Sequence, residues 1–461
     1  MTLKSTLETA DNIHYTVHLQ GLSEETVRKI SEENKEPGWM LEHRLKSLKI
    51  FQEMYMPAWW PDLSALNFDE IVYFAKAESG QEGYATEREN VSPEIKKKFE
   101  KLGIPEAEKK YLAGAGGQYD SEIVYHSIKK KRAEKGVIFD DMSRALIEHP
   151  DLVKKYFMKL VPPHDHKFSA LHGAVWSGGT FIFIPKGMKV SEPLQAYFRM
   201  NTYGGGQFEH TLIILEDEAQ GDYIEWCSAP KFNRTSLHAG LVEIFVGKHA
   251  TMRYSSVENR STNTYNLNTK RAIVDDYGFM ERVNGNLGSC TTMLYPCSIL
   301  KGNYSKSDQL GVVVAAKGQN QDSWSKVIHI GKHTSSTIIS KSISKEGGIS
   351  TYRGVVDIRP SAEGAVNSTE CDALIMDSDS ISTTIPVINV LSETAIVAHE
   401  ASAGKISDTE LFYMMSRWLS EQKAMSMLVN GFISPIVKKL PLEYAGELNK
   451  LIELEMEGSV W

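Results

Sequence analysis

Two cysteines and a histidine–glutamate pair stand in strand-like segments of the sequence, and their side chains are candidate iron ligands. Cys227 ends one strand-like run, Cys371 lies within another, and His399-Glu400 follows an apolar run. Thiolate, imidazole and carboxylate groups all bind iron once they are deprotonated. Because adjacent strand residues point to opposite faces of a sheet, we expect only one of His399 and Glu400 to face a given site.

The same residues also have simpler interpretations. The chain has four cysteines but no CxxC pair, so a closed four-thiolate site has no local signature. A free cysteine is often a small buried hydrophobe, which is the interpretation we favour for Cys290 and Cys297. Taken alone, His399-Glu400 is more typical of a surface pair. A Cys–His hydrolase built from Cys371 and His399 would lack a helix N-terminus to activate the thiol.

Motifs of several enzyme classes are absent from the sequence. Gly331-Lys332 resembles the end of a phosphate-binding loop, but His333 follows where Ser or Thr is needed. Gly204-Gly205-Gly206 precedes no helix start and does not fit a dinucleotide site. No G-x-S-x-G nucleophile elbow is present. We therefore expect a protein that is not an enzyme and has no ATPase motif of its own.

Composition restricts the partners and the compartment. The chain has 461 residues and a formal net charge of -8, which gives no reason to expect nucleic acid as a partner. Four cysteines cannot form a disulfide framework in a chain of this size. We see no secretory signal and no apolar run near the ~18 residues of a spanning helix. The prediction is a cytoplasmic protein with free thiols that binds neither nucleic acid nor membranes.

The chain divides into three regions by composition. Residues 1–164 are predicted to be mostly helical, and residues 403–461 are predicted to be helical again. Between them, residues 165–402 are rich in short β-branched runs with Gly and polar corners. A length of about 150 residues per domain is compatible with this division.

Several helix starts can be assigned in the two terminal regions. Ser23 is predicted to cap a charged helix that ends before Pro37. An apolar stripe from Leu41 to Met54 then predicts a second helix with one buried face. Ser92-Pro93 predicts a further helix start, since Pro is favoured at the first helical position.

The middle region repeats a strand-and-corner theme. Corresponding residues such as Leu215 and Val246, or Ile330 and Ile358, are roughly 28 to 32 residues apart, which is a solenoid-like period. No helical pattern lies between these strands, so a βαβ sheet is not expected. A β-sandwich is an alternative, but the repeated corners and the number of strands favour a parallel β-helix.

The C-terminal region is predicted to contain two helices, starting at Ser407 and Ser420. The second carries an apolar stripe that includes Met427 and Phe432, and Pro435 is expected to interrupt it. The stripe is either core packed on the preceding helix or a docking face for another chain. Core is the commoner role of such a stripe.

Several short segments along the sequence together resemble the SufB/SufD family of iron–sulfur cluster assembly proteins, and within it the SufB-type scaffold subunits. They are His329-Ile330-Gly331-Lys332, Tyr352-Arg353-Gly354, Cys371-Asp372, Cys227-Ser228-Ala229-Pro230 and Leu428-Val429-Asn430-Gly431-Phe432. The resemblance runs from about residue 20 to the end. It implies a mainly β fold, with a right-handed parallel β-helix core between N-terminal and C-terminal helical regions, in agreement with the pattern.

The resemblance also implies roles for individual residues. Cys227 matches the cysteine that receives sulfur, and Cys371 matches the cysteine at which the cluster forms near a dimer interface. His399 and Glu400 match the neighbouring pair of that interface, which with Cys371 would bind the metal. The positions associated with an interior sulfur-transfer route between the two cysteines are Arg199, Asn201, Glu209 and Lys270. The chain departs from many members at Ala398, Glu258 and Arg260, where they have Glu, Gln and Trp.

The cofactors and partners are expectations from the same resemblance. They are a transient iron–sulfur cluster of the 4Fe–4S type and reduced flavin in the complex. The expected partners are the ABC-type ATPase SufC, docked at Met427 and Phe432, and either SufD or a second copy of the chain. A cysteine desulfurase with its sulfur-transfer partner would supply sulfur, and apo iron–sulfur proteins would receive the cluster.

Two other functions compete with that of an assembly scaffold. The chain could be a SufD-like structural adaptor of the same complex without its own cluster site. It could also be a β-helical enzyme acting on polysaccharide, as many solenoids are. Such an enzyme would need carboxylates and aromatic residues stacked along an exposed groove, which the scattered aromatic residues of this sequence do not indicate.

Overall fold

A computed structural model describes residues 14–77, 112–128 and 130–440, together with 445–446, 448–449 and 451–453. The described helices are α1 (Glu24–Glu33), α2 (Gly38–Glu53), α3 (Lys130–Ala133), α4 (Met142–Glu148), α5 (Pro150–Tyr156), α6 (Lys167–Val175), α7 (Asp408–Ser416) and α8 (Glu421–Val437). The described strands are β1 (Tyr15–Gln20), β2 (Val72–Ala77), β3 (Gly114–Tyr119), β4 (Glu122–Ile128), β5 (Ile138–Asp141), β6 (Thr180–Ile184), β7 (Leu194–Arg199), β8 (Gly206–Gln207), β9 (His210–Leu215), β10 (Gln220–Ser228), β11 (Ser236–His238), β12 (Leu241–Val246), β13 (Thr251–Arg260), β14 (Thr264–Val274), β15 (Phe279–Gly288), β16 (Thr291–Leu300), β17 (Lys306–Ala315), β18 (Asn320–His329), β19 (Ser335–Ser344), β20 (Ile349–Ile358), β21 (Val366–Ile375), β22 (Ile381–Val390) and β23 (Ile396–Lys405). The helix start predicted at Ser92-Pro93 lies outside the described residues.

Two long sheets form a parallel β-solenoid. Sheet I has the strand order β23-β21-β19-β17-β15-β13-β10-β7-β3-β4, and sheet II has the order β22-β20-β18-β16-β14-β12-β9-β6-β5, with β8 and β11 beside it. From β12 onward, successive strands alternate between the two sheets, so each turn contributes one strand to each. Within these sheets of the described chain, the antiparallel pairs are β3–β4 and β5–β6. The predicted mainly β, parallel β-helix fold is therefore confirmed, and the β-sandwich alternative is wrong.

The strand alternation separates an interior from an exterior. Tyr254 on sheet I and Ile244 on sheet II belong to the apolar core between the sheets. Trp226 and Val257 are an odd number of residues from the inward positions of their strands, so they point outward. They form a second core with residues of α8 on the outer face of sheet I. A solenoid of this kind buries side chains on both faces of sheet I, so inward polar groups lie in a dry interior.

The repeat length is uneven along the solenoid. Tyr265 pairs with Thr291 on the next turn of sheet II, whereas Ile349 pairs with Ile381, so the later turn contains more residues. The predicted spacing of about 28 to 32 residues therefore covers most turns but not all of them. The differences are absorbed at the corners, since the strands themselves stay in register over most of their length.

One corner carries a ladder of four stacked rings, the aromatic ladder His249, Tyr277, Tyr304 and His333. Consecutive ring centroids are 4.7, 5.0 and 5.0 Å apart. All four residues have φ between 55° and 57°, a left-handed conformation that a residue with a side chain rarely adopts. Because the ring faces stack on one another, the ladder joins neighbouring turns and does not present the open faces that a sugar-binding groove would need.

The N-terminal region contributes both helices and strands. Ser23 caps α1 by accepting a hydrogen bond from the backbone N–H of Thr26 at 3.1 Å, as predicted. Strand β3 pairs with β7, so residues 114–119 are part of sheet I, although they lie in the region predicted to be mostly helical. All six residues of β3 are buried, and its Gly-rich sequence GAGGQY has no polar–apolar alternation from which a strand could be predicted.

Helix α2 is present as predicted, and its buried face includes much of the predicted stripe. Leu48 and Phe51 of the stripe are buried and Leu41, Leu45 and Met54 are half-buried. Met40, Arg44 and Ser47 are buried in addition. Arg44 can enter this face because its guanidinium forms an ion pair with Glu36 and both side chains are almost fully buried.

Glu243 fixes the N-terminal region to the solenoid. It lies on the outer face of β12, and its carboxylate accepts backbone hydrogen bonds from Met158 at 2.6 Å, Leu160 at 2.6 Å and Val161 at 3.0 Å. The Glu243 carboxylate thus provides the hydrogen-bond acceptor for three backbone N–H groups of the segment between α5 and α6. Burial still raises the pKa of Glu243 to about 7.

The two predicted C-terminal helices start at their predicted serine caps. Helix α8 buries Val429, Ile433 and Ile436 against the outer face of sheet I. The expectation that Pro435 interrupts this helix is wrong, because α8 continues to Val437. Pro435 lies in the last turn, where its missing N–H removes a single hydrogen bond of the helix. None of the described helices has the length and apolar character needed to cross a membrane.

The last turn of the solenoid is exposed. Strands β22 and β23 end their sheets, and each has one paired neighbour among the described strands. Large apolar side chains lie exposed on this turn, including Ile381, Val387, Ile388 and Ile396. An exposed strand edge with apolar side chains is a surface on which another chain can pack.

Candidate functional site

Cys371 and His399 meet inside the last turns of the solenoid. Parallel strands β21 and β23 pair Thr369 with His399 and Cys371 with Ala401, so both side chains point to the same, inner face. The Cys371 Sγ atom lies 3.7 Å from the His399 Nε2 atom. The other ring nitrogen of His399, Nδ1, is buried and makes no hydrogen bond with any described residue. A thiol and an imidazole thus form one incomplete donor set.

The surroundings of Cys371 keep its thiol protonated. Burial raises the pKa of Cys371 to about 12, and the carboxylates of Asp372 and Glu370 act in the same direction. Tyr352 on β20 lies beside the thiol and partly offsets this rise. Such a thiol is a poor nucleophile at neutral pH, which argues against a Cys–His hydrolase. A metal ion would have to displace the proton on binding.

A glycine leaves room for the histidine ring. A Cβ atom at Gly354 would lie 3.1 Å from the ring of Tyr352 and 3.4 Å from the Cε1 atom of His399. Both distances are tighter than most carbon–carbon contacts in proteins, so a larger residue here would push one ring away. Gly354 therefore allows Tyr352 and His399 to share the space next to Cys371.

Glu400 lies on the opposite face of β23. It is exposed and pairs in register with Glu370, which is on the outer face of β21. Lys341 forms ion pairs with Glu370, at 2.9 Å, and with Asp372. The structure therefore brings Cys371 and His399 together but places Glu400 outside, among charged groups of the outer face.

A second group of side chains surrounds Cys227. Its thiol is fully buried on the inner face of β10, 3.8 Å from Glu225 Oε1. Ligand atoms of Glu209, Glu225 and Cys227 all lie within 4.8 Å of one another. Burial, and then the charge of Glu225, raises the pKa of Cys227 well above its usual value.

Charged side chains from four strands close this pocket, which we call the Cys227 pocket. The Lys270 Nζ atom lies 3.0 Å from Glu258 Oε1 and 3.7 Å from Glu225 Oε1. His238 Nε2 lies 2.5 Å from Glu209 Oε1, and this pair lowers the pKa of Glu209 against the effect of burial. The charges compensate one another, as buried charges must.

Arg199 and Asn201 lie at the side of the Cys227 pocket. The Arg199 guanidinium donates to Ser228 Oγ at 3.1 Å, next to Cys227 in the chain. The backbone N–H of Asn201 donates to Asp120 at 2.7 Å, and its side-chain amide donates to the Tyr15 hydroxyl at 3.2 Å. Of the four predicted route residues, Glu209 and Lys270 line the pocket, whereas Arg199 bonds to Ser228 and Asn201 bonds to Asp120 and Tyr15.

The two cysteines are far apart inside the solenoid. Glu225, two residues before Cys227, is in register with Ser256, Asn284, Gly311, Ser340 and finally Cys371 on successive strands of sheet I. Five strand steps at about 4.8 Å each give a separation of about 24 Å. Between the two ends, Ser256, Asn284 and Ser340 carry polar side chains and Gly311 carries none, so polar groups recur along part of this distance.

Comparison with known proteins decides the family. Residues 198–432 match the family described as "SUF system FeS cluster assembly, SufBD core domain", and residues 86–196 match the "SufBD protein N-terminal region". The chain belongs to the SufBD family. This SufBD-family chain is 50% identical over 441 residues to the iron–sulfur cluster assembly protein SufB of Bacillus subtilis (strain 168), covering 96% of this chain and 94% of that protein.

Two staphylococcal relatives agree with this assignment. The SufBD-family chain is 52% identical over 442 residues to an iron–sulfur cluster assembly SufBD family protein of Staphylococcus aureus (strain MRSA252), and 51% identical over 442 residues to one of Staphylococcus haemolyticus (strain JCSC1435). In both cases 96% of this chain and 94% of the relative are covered. The protein is thus an iron–sulfur cluster assembly protein, and the resemblance found in the sequence is confirmed.

The predicted docking residues differ in exposure. Met427 is exposed on α8 of the SufBD-family chain. Phe432 is half-buried, packs against the outer core of sheet I, and has the Lys341 Nζ atom 5.3 Å from its ring centroid. Phe412 and Trp418, at and after α7, are exposed near the same end of the chain. One side of α8 is therefore core, packed on sheet I, and Met427 is exposed on the other side, where docking of another chain stays a prediction.

The remaining cysteines of the SufBD-family chain lie off the row of residues between Cys227 and Cys371. Cys297 is in register with Arg271 and Lys326, on the outer face of sheet II. Cys290 lies between β15 and β16, where its thiol is 3.2 Å from the carbonyl oxygen of Thr264. Burial raises the pKa of both thiols. Cys297 is buried, as its interpretation as a small buried hydrophobe expects, whereas Cys290 is only half-buried.

Several residues of the pocket and the route were not found from the sequence. His238, Glu225 and Glu258 complete the Cys227 pocket, and Arg282 lies on the inner face of β15 between the two cysteines. Glu258 was noted only as a departure from other members. The signal that could have found them is a charged residue at an inward position of a strand, because an interior charge in a solenoid needs a partner or a ligand.

Proposed function

We propose that this SufBD-family protein is the scaffold on which iron–sulfur clusters are assembled and from which they pass to apo-proteins. The observation that carries the proposal is the Cys371 thiol 3.7 Å from the His399 imidazole at the open end of the solenoid. A rigid solenoid holds the two donors in fixed geometry, which a binding site requires. The donor set is small, so a cluster bound there is open to acceptors.

A second chain would complete the ligands. The exposed apolar side chains of β22 and β23 support a partner surface next to Cys371, and Glu400 on the outer face is placed to reach across it. The partner is SufD or a second copy of this chain. The bound cargo is a transient 4Fe–4S cluster.

The scaffold would depend on other proteins for energy, sulfur and electrons. The chain has no phosphate-binding loop, so we assign ATP hydrolysis to the ABC-type ATPase SufC, docked on the exposed apolar face of α8 and α7. Cys227 would take sulfur from a cysteine desulfurase and its sulfur-transfer partner. Reduced flavin in the complex would be a further cofactor. The scaffold itself is not an enzyme in this proposal, and it acts in the cytoplasm.

Anaerobic reconstitution tests the proposal. The purified chain is mixed with iron(II) and sulfide, desalted, and measured by absorption spectroscopy together with iron and sulfide analysis. A scaffold gives a sulfur-to-iron charge-transfer band that is retained after desalting and is transferred to an apo-ferredoxin. A chain that retains no chromophore, alone or with its partner, would instead be the SufD-like adaptor.

A further inference from the structure

Arg282 is an unpaired charge inside the solenoid. It lies on the inner face of β15 and is fully buried. None of its three guanidinium nitrogens donates a hydrogen bond to any residue that the structure describes. The described carboxylates form no ion pair with it either, unlike Lys270 and Arg260, which both face Glu258.

A buried guanidinium requires an anionic partner. Arginine stays protonated in proteins, so its charge cannot be removed by losing a proton. Removing that charge from water without compensation is very unfavourable, and buried charges are therefore paired or bound to a ligand. With five N–H groups in a planar fork, the side chain is suited to hold a small anion.

The neighbouring polar side chain does not serve as this partner. Gln309 is next to Arg282 in register on β17. Its amide is turned away, since Nε2 donates to Ser298 Oγ at 3.2 Å and to the carbonyl oxygen of Lys326 at 2.9 Å. The Gln309 Oε1 atom accepts no hydrogen bond from a described residue, so the space beside Arg282 holds unsatisfied polar groups from both strands.

The position of Arg282 relates it to the two cysteines. Strand β15 is two strand steps from Cys227 on β10 and three steps from Cys371 on β21. Arg282 shares the inner face with Asn284, which belongs to the polar row between the cysteines. The other two thiols, Cys290 and Cys297, lie off this row. Over about 24 Å, sulfur cannot be handed from thiol to thiol.

We propose that Arg282 is the centre of an internal anion-binding site that holds hydrosulfide between Cys227 and Cys371. The site itself takes a small monovalent anion, and no bond is formed or broken there. The bound anion supplies the counter-charge that Arg282 lacks among the described residues, and the row of Ser256, Asn284 and Ser340 places polar side chains on either side. The identity of the anion as hydrosulfide rests on the proposed scaffold function.

Binding is tested without iron, cluster or partner proteins. The full chain with all four cysteines changed to serine excludes persulfide and disulfide chemistry. Equilibrium dialysis against ³⁵S-labelled hydrosulfide under anaerobic conditions then measures the bound anion per chain. We expect one site per chain. Arg282→Met should weaken binding by at least about tenfold, and Arg282→Lys should retain part of it because the charge remains.

A control variant and a second measurement allow the anion site to be tested even if Arg282→Met does not fold. Arg253→Met removes an outward, half-exposed arginine from the adjacent strand β13 and should leave binding unchanged. If Arg282→Met does not fold by circular dichroism, crystals of the parent chain soaked in bromide should show an anomalous peak within hydrogen-bond reach of the guanidinium. Equal hydrosulfide binding by a folded Arg282→Met chain, or no bromide peak, would overturn the site.

Different results would contradict the assignment of hydrosulfide and the proposed scaffold function. Bromide binding at Arg282 without any hydrosulfide binding would overturn the assignment of hydrosulfide. Loss of the cluster in reconstitution, with hydrosulfide binding intact, would count against the scaffold function and leave the anion site standing.

Discussion

Cys371 and His399 are diagonal neighbours on adjacent parallel strands. Across β21 and β23, Cys371 is in register with Ala401, and His399 precedes Ala401 by an even offset along β23. Because the offset is even, both side chains stay on the inner face, 3.7 Å apart. An odd offset would have placed them on opposite sides of the sheet. The register of one strand pair therefore forms the donor set.

Substitutions at the donor set are expected to have graded effects. Cys371→Ala should abolish cluster retention, His399→Ala should nearly abolish it, and Glu400→Ala should only weaken it, because Glu400 faces away from the thiol. Loss of a substitutable ligand typically costs ~10- to 100-fold in metal binding. The measurement is iron and sulfide per chain after anaerobic reconstitution.

Circular dichroism of each variant provides the folding control for this series. Thr383→Ala, an exposed position of the last turn that carries no donor, is the matched surface variant. Full cluster occupancy in Cys371→Ala would contradict the assignment, and the site would then have to be sought around Cys290 and Cys297.

Cys227 and Cys371 should respond differently to the source of sulfur. Cys227→Ala is expected to block cluster formation when a cysteine desulfurase supplies sulfur, yet to allow reconstitution from free sulfide. The reason is the separation of about 24 Å, which keeps Cys227 out of the donor set at Cys371. Cluster content is measured in both assays on the same preparation. An equal loss of cluster content with both sulfur sources would contradict the separate roles of Cys227 and Cys371.

The docking face on α8 can be tested with Met427. Met427→Glu places a charge on an exposed apolar position and should abolish co-purification with the ABC-type ATPase, while the solenoid stays folded. Phe432 is a less clean test because its ring packs on sheet I next to Lys341. Tyr55→Glu, at an exposed position of the N-terminal region, is the control. Undiminished ATPase binding by Met427→Glu would exclude this face.

The raised pKa of Cys371 predicts a pH dependence of its labelling. Only the thiolate reacts with iodoacetamide, and with a pKa of about 12 the thiolate fraction grows about tenfold per pH unit throughout the range 7 to 10. The rate is measured by mass spectrometry in a chain whose other cysteines are serine. A plateau near pH 9 would mean that the thiol titrates like an ordinary cysteine.

The aromatic ladder should contribute to stability through stacking. Tyr277→Ala removes two ring contacts and should lower the free energy of unfolding by about 1–2 kcal/mol. Tyr277→Gly removes the same contacts but relieves the left-handed backbone at φ 57°, so it should be about 1 kcal/mol more stable than the Ala variant. Urea unfolding followed by circular dichroism compares the two. Identical midpoints would show that the backbone conformation carries no cost.

Much of the fold could be predicted because local patterns determine it. Strand alternation and a recurring spacing of strand and corner indicated the solenoid, and Ser23, Ser407 and Ser420 marked helix starts that the structure confirms. Strand β3 was missed because its residues are Gly-rich and buried on both faces, which removes the alternation. The burial of Arg44 in α2 depends on its ion pair with Glu36, which no periodicity reveals.

The candidate site could be predicted in type, and the spacing of 28 residues between Cys371 and His399, close to the solenoid period, predicts the neighbouring turns on which they lie. Cys371 and His399 were identified from their residue types and from family resemblance, and their contact depends on a strand register that spacing alone leaves uncertain by a residue or two. The Cys227 pocket was only partly found, because His238 and Glu258 reach it from other strands. Likewise, the scattered aromatic residues of the sequence gave no sign of the ladder formed by His249, Tyr277, Tyr304 and His333.

The exposed last turn has a consequence for how the protein unfolds locally. In a solenoid, each turn is stabilised mainly by its two neighbours, and a terminal turn has only one. Strands β22 and β23 should therefore exchange their amide hydrogens by fraying, at a lower free energy than the central turns. His399 lies on this fraying turn and Cys371 on the turn before it. A cluster and a partner chain that bind only the ordered state would stabilise this end of the solenoid, and their release would restore its local opening.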